Sequence, residues 1–197
     1  MASTGIPQAD IGFSFFSMHT TQEKNITFVG SQMNGPTNVG VDNVEFPQHH
    51  EGHSGWEIYK VAALVPSPAL NDSPHIVLLL IGTNDVLHSM FEGATDRVGD
   101  LIDNIISNVP DALIAVATIP PLTGDYSSYS DLVDSYNVGL KEAVNTRIQN
   151  GRNVILVDQF DGFPTSELED GIHPNADGCA RMGDKWYGAI SSVLPAK

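Results

Sequence analysis

The chain has 197 residues, a length typical of one domain. It carries 9 Lys and Arg residues against 24 Asp and Glu residues, and the resulting net charge of −15 disfavours nucleic acid and anionic membranes as partners, since both would be repelled. Hydrophobic residues make up 41% of the chain, which is enough for a core, and no run of about 18 apolar residues is present to span a membrane. The single cysteine, Cys179, excludes an internal disulfide and a cysteine-based zinc site.

Short apolar runs rich in β-branched residues predict buried strands. In chain order these strands cover residues 26–30, 75–81, 112–118 and 153–157. An earlier run, Ile11–Phe16, is no convincing signal peptide, because no Lys or Arg precedes it and no cleavage pattern follows.

Apolar residues at helical spacing lie between and after these strands. They predict helices over residues 98–109, 132–148 and 180–193. Strands that alternate with helices are typical of the α/β class, as a doubly wound parallel sheet covered by helices on both faces. We expect residues 1–197 to form one such domain, with residues 1–25 as an atypical N-terminal segment.

Reactive groups of such folds gather where the strands end. Gly82-Thr83-Asn84-Asp85 follows the most apolar predicted strand. Asn84 can donate an amide N–H to a carbonyl oxygen that gains negative charge, as in an oxyanion hole. The alternative is an ordinary turn, because Gly, Asn and Asp all favour turns.

Asp170-Gly171-Ile172-His173-Pro174 is the second motif. A histidine that acts as general base needs a carboxylate on its other ring nitrogen, and Asp170 and His173 are close enough in a tight loop to meet. The alternative is a surface loop with a solvated Asp and His.

A turn of small residues, Glu51–Trp56, is the third motif, and its backbone N–H groups can face a ligand. Ser54 does not match a nucleophile elbow, because G-x-S-x-G needs Gly where Trp56 stands. The nearby His49, His50, Glu51 and His53 lack the H-E-x-x-H spacing of a zinc site, and a solvated loop is the favoured interpretation.

Taken in order, these motifs resemble those of the SGNH (GDSL-type) hydrolases, and most closely those of carbohydrate esterase family three. The resemblance covers about residues 26–194 and rests on residues 28–35, 51–56, 82–85 and 170–173. It implies that Gly55 and Asn84 are the oxyanion donors, and that Asp170 and His173 are the acid and the base.

The same resemblance implies a flavodoxin-like fold and hydrolysis of acetyl or other small acyl esters of carbohydrates. It implies no metal or cofactor, and it implies secretion, although the given chain shows no signal peptide. The expected partner is a small-molecule or carbohydrate ester, with no nucleic acid and no membrane. The sequence leaves the location, the oligomeric state and the acyl and alcohol specificity open.

The nucleophile is where the chain departs from the family. The family carries a Gly-Asp-Ser motif after its first strand, and no Gly-Asp-Ser occurs here. Ser14, in Gly12-Phe13-Ser14, and Ser17, directly after Ile11–Phe16, are the two substitutes. We expect Ile11–Phe16 to fill the place of the central first strand, since the backbone groups beside an empty place would lack partners.

Two other interpretations stay open. In both of them Ser14 and Ser17 are structural. In the first, the protein is a relative of the esterases that has lost the serine nucleophile and acts as a non-hydrolytic enzyme or binds a ligand. In the second, it is an interaction module. The presence of Asn84, Asp170 and His173 together disfavours the interaction module.

Overall fold

Seven strands occur in the part of the chain that the computed structural model describes, which is residues 26–33, 40–41, 44–45 and 48–194. They are β1 (Gln32–Met33), β2 (Gly40–Val41), β3 (Val44–Glu45), β4 (His49–His50), β5 (Ile76–Leu80), β6 (Leu113–Ala117) and β7 (Val154–Val157). The last three form a parallel sheet in the order β5–β6–β7. These three strands confirm the predictions for residues 75–81, 112–118 and 153–157.

The register of this sheet brings the ends of its strands level. Leu80 lies opposite Ala117, and Ala117 lies opposite Val157, so β5, β6 and β7 end at the same height. Because the strands are parallel, the segments that follow them all leave the sheet at one edge. We call this the carboxyl edge.

Five α-helices accompany the strands within the described residues. They are α1 (Ile58–Ala62), α2 (Thr83–Leu87), α3 (Ala94–Asn108), α4 (Ser130–Gln149) and α5 (Ala176–Ile190). Helices α3, α4 and α5 confirm the three predicted helices, and each begins two to four residues before its apolar pattern. None of the described helices is both long and apolar enough to cross a bilayer.

Helices cover both faces of the sheet, as predicted for a doubly wound fold. Ile114 and Val116 of β6 belong to a core cluster that contains Leu101 of α3 and Leu140 of α4. Ala115 and Ala117 point to the opposite face, and their cluster contains residues of α5, Trp186 and Ile190 among them. All of β6 is therefore buried, which explains its uninterrupted apolar sequence.

The prediction of a strand over residues 26–30 is wrong: within the described residues this segment forms no strand. Pairing begins only at β1, which is antiparallel to β4. Ile26 and Phe28 instead pack their side chains against the cluster on the α5 face. Apolar β-formers indicate burial of side chains as much as strand pairing, and here burial alone accounts for them. The other predicted strand, Ile11–Phe16, lies outside the described residues.

Asp158 organises the turn that follows β7. Its Oδ1 atom accepts hydrogen bonds of 3.0 Å from the Thr118 hydroxyl and from the N–H groups of Phe160 and Asp161. Its Oδ2 atom accepts a 2.6 Å bond from Lys141 Nζ. Burial alone would raise the pKa of Asp158, but the bonds from Lys141, Asp161 and Thr118 outweigh burial and lower it to about 2.

We expect Asp158→Asn to lower the free energy of unfolding by about 1–2 kcal/mol at neutral pH, because the turn loses a charged acceptor. The folded-state pKa lies below the ordinary 3.8, so the carboxylate stabilises the fold fully above that value. This contribution is lost as the pH falls through 3.8 towards 2. Urea unfolding of both proteins should therefore show a difference that shrinks on acidification. Asp161→Asn, at an exposed position, is the control, and an Asp158→Asn effect that does not change with pH would contradict this role.

Candidate active site

Asp170 and His173 meet in a tight loop near the carboxyl edge, as their spacing predicts. His173 Nδ1 lies 2.7 Å from Asp170 Oδ2. Asp170 Oδ1 accepts hydrogen bonds from the N–H groups of Ile172 at 3.0 Å and His173 at 2.8 Å. One carboxylate therefore fixes both the backbone of the loop and the orientation of the imidazole ring.

The charge on Asp170 follows from these contacts. Burial alone would raise the pKa of Asp170, but the bonds from the His173 backbone, the His173 ring and the Ile172 N–H lower it to about 2. Asp170 is therefore ionised at neutral pH, and as an acceptor it favours the tautomer of His173 that carries its proton on Nδ1. The Nε2 atom of a neutral ring then carries a lone pair, and the side chain is 49% exposed. This is the state in which histidine accepts a proton.

The base of this loop is attached to α5. The Arg181 guanidinium contacts both carboxylate oxygens of Glu167 at 2.6 Å. The Glu167 carbonyl accepts a 2.8 Å bond from Asn175 N–H, and Glu169 N–H donates to the His173 carbonyl at 2.7 Å. The chain segments before and after His173 are thus bonded to each other and to α5.

The tip of the loop is attached to the segment that follows β6. Thr123 N–H donates to the Gly171 carbonyl at 2.9 Å. Gly171 has a φ of 89°, and a Cβ atom there would lie 2.4 Å from the Thr123 carbonyl oxygen. Only glycine fits this position, both for its backbone conformation and for lack of space. The next residue, Ile172, packs against the core cluster between the sheet and helices α3 and α4.

Gly82 brings Asn84 to the same edge of the sheet. It stands two residues after the end of β5 and has a φ of 119°. A Cβ atom added at this position would lie 2.2 Å from the Tyr136 ring. The Tyr136 hydroxyl donates to the Ile81 carbonyl at 2.8 Å. Helix α2 therefore begins immediately after the strand, with Asn84 in its first turn.

The Asn84 side chain contacts the segment that contains Gly55. Asn84 Nδ2 donates to the Trp56 carbonyl at 3.1 Å, and none of the described residues accepts a second hydrogen bond from this amide group. Gly55 has a φ of 76° in a turn closed by a 3.3 Å bond from Trp56 N–H to the His53 carbonyl. Its own N–H makes no hydrogen bond to another described residue. The two predicted oxyanion donors are therefore neighbours.

The prediction of a solvated loop at Glu51 and His53 is wrong. Glu51 accepts bonds from the Ser31 N–H at 2.8 Å and the Ser31 hydroxyl at 2.9 Å, and it contacts His53 Nε2 at 2.9 Å. The His53 ring stacks on Trp56 with the ring centres 4.2 Å apart. These contacts hold the Gly55 turn from one side. No group of three His, Cys, Asp or Glu side chains among the described residues is arranged to hold a metal ion.

The sequence missed the buried carboxylate that holds the turn from the other side. Asp85 is fully buried, accepts a 2.9 Å bond from Ile58 N–H and pairs with Arg97 at 2.9 Å. Its only sequence signal was its place directly after Asn84. Glu57 and His88 were missed too, although His88 stands one helical turn after Asn84.

Two of the six predicted site residues, Ser14 and Ser17, lie outside the described residues. The other four form two pairs, Asp170 with His173 and Gly55 with Asn84. Asn84 follows β5 and the Asp170–His173 loop follows β7, and no hydrogen bond joins the two pairs among the described residues.

Comparison with known proteins identifies the family. The sequence profile of the GDSL-like lipase/acylhydrolase family matches residues 5–186. The chain belongs to this family. It is 28% identical over 207 aligned positions to a multidomain esterase of Ruminococcus flavefaciens, and the match covers 94% of this chain but only 27% of that relative. The predicted membership of the SGNH (GDSL-type) hydrolases is thus confirmed.

Solved structures agree with this membership. A family 3 carbohydrate esterase of Clostridium thermocellum has a TM-score of 0.79 and 26% identity, over 93% of this chain and 86% of that one. A carbohydrate esterase family 3 structure from Talaromyces cellulolyticus has a TM-score of 0.80 at 22% identity, over 96% and 92% of the two chains, and shows the fold. The α/β fold class predicted from the sequence is thus confirmed.

We expect Gly171→Ala to displace the loop that carries His173, because its Cβ atom would strike the Thr123 carbonyl. Gly162→Ala is a matched control, since Gly162 has a φ of 68° but open space around a Cβ atom. The control should lose about 1–2 kcal/mol of stability from its backbone conformation. Gly171→Ala should lose about 1–3 kcal/mol more. Thermal unfolding measures both, and equal losses would show that the contact with Thr123 does not constrain the loop.

Proposed function

We propose that this chain hydrolyses carboxylic esters, with acetyl esters of carbohydrates as the substrate class and His173 as the general base. The observation that supports this most directly is the 2.7 Å contact between Asp170 and His173 Nδ1. It leaves Nε2 outward and able to accept a proton, in a loop that is attached to the structure on both sides.

In the proposed reaction, a serine hydroxyl attacks the ester carbonyl while His173 Nε2 takes its proton. The negative charge on the carbonyl oxygen is stabilised by the N–H groups of Gly55 and Asn84. His173 then returns the proton to the leaving alcohol, and water releases the acyl group by the same steps. Asp170 stays ionised and orients the ring throughout. Ser14 and Ser17 are the candidate nucleophiles.

Two observations support a neutral carbohydrate ester as the substrate. The solved structure with 26% identity is a family 3 carbohydrate esterase, and the multidomain relative is an esterase. The net charge of −15 would repel acyl donors that carry phosphate groups. A sugar ester carries no charge, so the acidic surface does not oppose its approach.

A second function is supported by one specific observation, the lack of a Gly-Asp-Ser motif. A chain without a serine nucleophile can keep the oxyanion donors and His173 and bind an ester or acid without hydrolysing it. Such a protein would be a ligand-binding relative of the esterases, or an enzyme that uses His173 for another proton transfer.

We expect Asp170→Asn to keep the fold but to reduce the hydrolysis of 4-nitrophenyl acetate by about 10⁴, the loss seen when the orienting carboxylate of a serine protease is replaced. An amide supplies no negative charge and can hold the wrong tautomer of His173. His173→Ala should abolish turnover, while Asp177→Asn, on the exposed start of α5, serves as the control. Full activity of His173→Ala would refute the proposed base.

A serine-directed fluorophosphonate should label the protein at Ser14 or Ser17, with its site identified by peptide mass spectrometry. Labelling requires an activated serine, so His173→Ala should react much more slowly than the wild type. Labelling at either serine excludes the non-hydrolytic function. A folded protein that neither reacts nor hydrolyses any ester would favour it instead.

A further inference from the structure

A second cluster of polar side chains adjoins the oxyanion donors and has no part in the proposed reaction. It consists of Glu57, Tyr59, Lys60 and His88, and we call it the Glu57 cluster. The Glu57 side chain is 8% exposed, and its carboxylate contacts the Lys60 ammonium group and the His88 ring. Its Oε1 atom lies 2.8 Å from His88 Nδ1, and its Oε2 atom lies 2.7 Å from Lys60 Nζ.

The position of His88 is set by Asn84. His88 N–H donates to the Asn84 carbonyl at 2.9 Å, so the two residues are one helical turn apart. Asn84 contacts the Trp56 carbonyl, and His88 contacts the side chain of the next residue, Glu57. His88 therefore follows Asn84 by four residues, about 6 Å along the helix axis, and both side chains contact the segment Trp56-Glu57. A group bound at Asn84 is therefore one helical turn away from His88.

The chemistry of this cluster suits a neutral hydroxyl group. The bonds from Lys60 and His88 lower the pKa of Glu57 to about 2, so its carboxylate is ionised. It can therefore accept a hydrogen bond from His88 Nδ1. In a neutral ring, His88 Nε2 is then a hydrogen-bond acceptor, and the side chain is 47% exposed. The charge of Lys60 is balanced by Glu57, so the surface offers donors and an acceptor without net charge.

Tyr59 adds an apolar face to these polar groups. Its ring is 49% exposed, and Lys60 Nζ lies 5.7 Å from the ring centre. Exposed aromatic faces beside a few fixed polar groups bind ligands that carry both C–H surfaces and hydroxyl groups. A sugar ring has this composition, whereas a simple alkyl alcohol offers nothing to Lys60 and His88.

We infer that the Glu57 cluster binds the alcohol part of the substrate as a sugar with free hydroxyl groups next to the ester, with His88 Nε2 accepting a hydrogen bond from one hydroxyl. This inference rests on the proposed esterase function and extends it to the recognition of the leaving group. His88 is a specificity residue here, while the hydrolysis itself depends on His173.

Two replacements of His88 separate binding from structural support. His88→Gln keeps a polar group near the position of Nε2 but shortens the reach to Glu57, while His88→Asn keeps a donor near the position of Nδ1 and removes the outward acceptor. The readout is the ratio of kcat/KM for a monoacetylated methyl β-xyloside to kcat/KM for 4-nitrophenyl acetate. His75→Ala is the control, since His75 is exposed at the opposite end of β5.

We expect His88→Ala and His88→Asn to lower this ratio about five- to tenfold, the effect of one lost hydrogen bond, and His88→Gln to restore most of it. His75→Ala should leave the ratio unchanged. An unchanged ratio in His88→Ala, with both esters still hydrolysed, overturns the inference and leaves the esterase function standing. Recovery by Asn but not by Gln also overturns it, because His88 would then only support Glu57.

A binding measurement covers the case in which the protein hydrolyses neither ester and the proposed function fails. The ¹⁵N and ¹H resonances of the histidine rings are followed while unacetylated methyl β-xyloside is added. A saturable shift of the His88 resonances, smaller in Tyr59→Ala, supports sugar binding without turnover. No shift at His88 overturns the inference regardless of activity.

Discussion

The link between β5 and α2 is the constraint on which the rest of the site depends. Gly82 lies so close to the Tyr136 ring that no Cβ atom fits, and the Tyr136 hydroxyl donates to the carbonyl of Ile81. Tyr136 is itself fully buried, and this burial raises its pKa, so the hydroxyl keeps its proton and remains a donor. Strand and helix are thus joined by two residues whose conformation is fixed by α4.

This fixed start gives a very short helix a structural role. Helices of five residues are not stable by themselves, so α2 depends on its tertiary contacts. Asn84 and Asp85 of α2, and His88 directly after it, bond in turn to the segment from Trp56 to Ile58. The Gly55 turn is attached to the first residue of that segment. The geometry of both proposed oxyanion donors therefore follows from where β5 ends and how Gly82 turns.

The parts of the fold that sequence predicts are those encoded by local patterns. Strands β5 to β7 are visible as uninterrupted apolar runs, and helices α3 to α5 are long enough to show a helical period. Asp170 and His173 are three residues apart in one loop. Helices α1 and α2 are too short to show a period. Glu57 and His88 stand 31 residues apart, so their contact exists only after β5 and α2 have packed. Residues 26–30 show the converse error, since a buried segment carries the same residue types as a strand.

Two histidine–carboxylate pairs of nearly equal geometry now stand at one edge of the sheet, and charge distinguishes their roles. His173 Nδ1 is 2.7 Å from Asp170 and His88 Nδ1 is 2.8 Å from Glu57. A general base becomes an imidazolium in the transition state and needs the full negative charge of its carboxylate. Asp170 receives backbone N–H groups on its other oxygen, which leave that charge intact.

Glu57 also contacts the Lys60 ammonium group at 2.7 Å, so its negative charge is shared between two side chains. The proposed base therefore faces a carboxylate whose other contacts are backbone N–H groups, whereas the proposed sugar contact faces a carboxylate already paired with an ammonium group. The difference comes from one lysine in the last turn of α1, which makes Lys60 the residue that separates the proposed base from the proposed sugar contact.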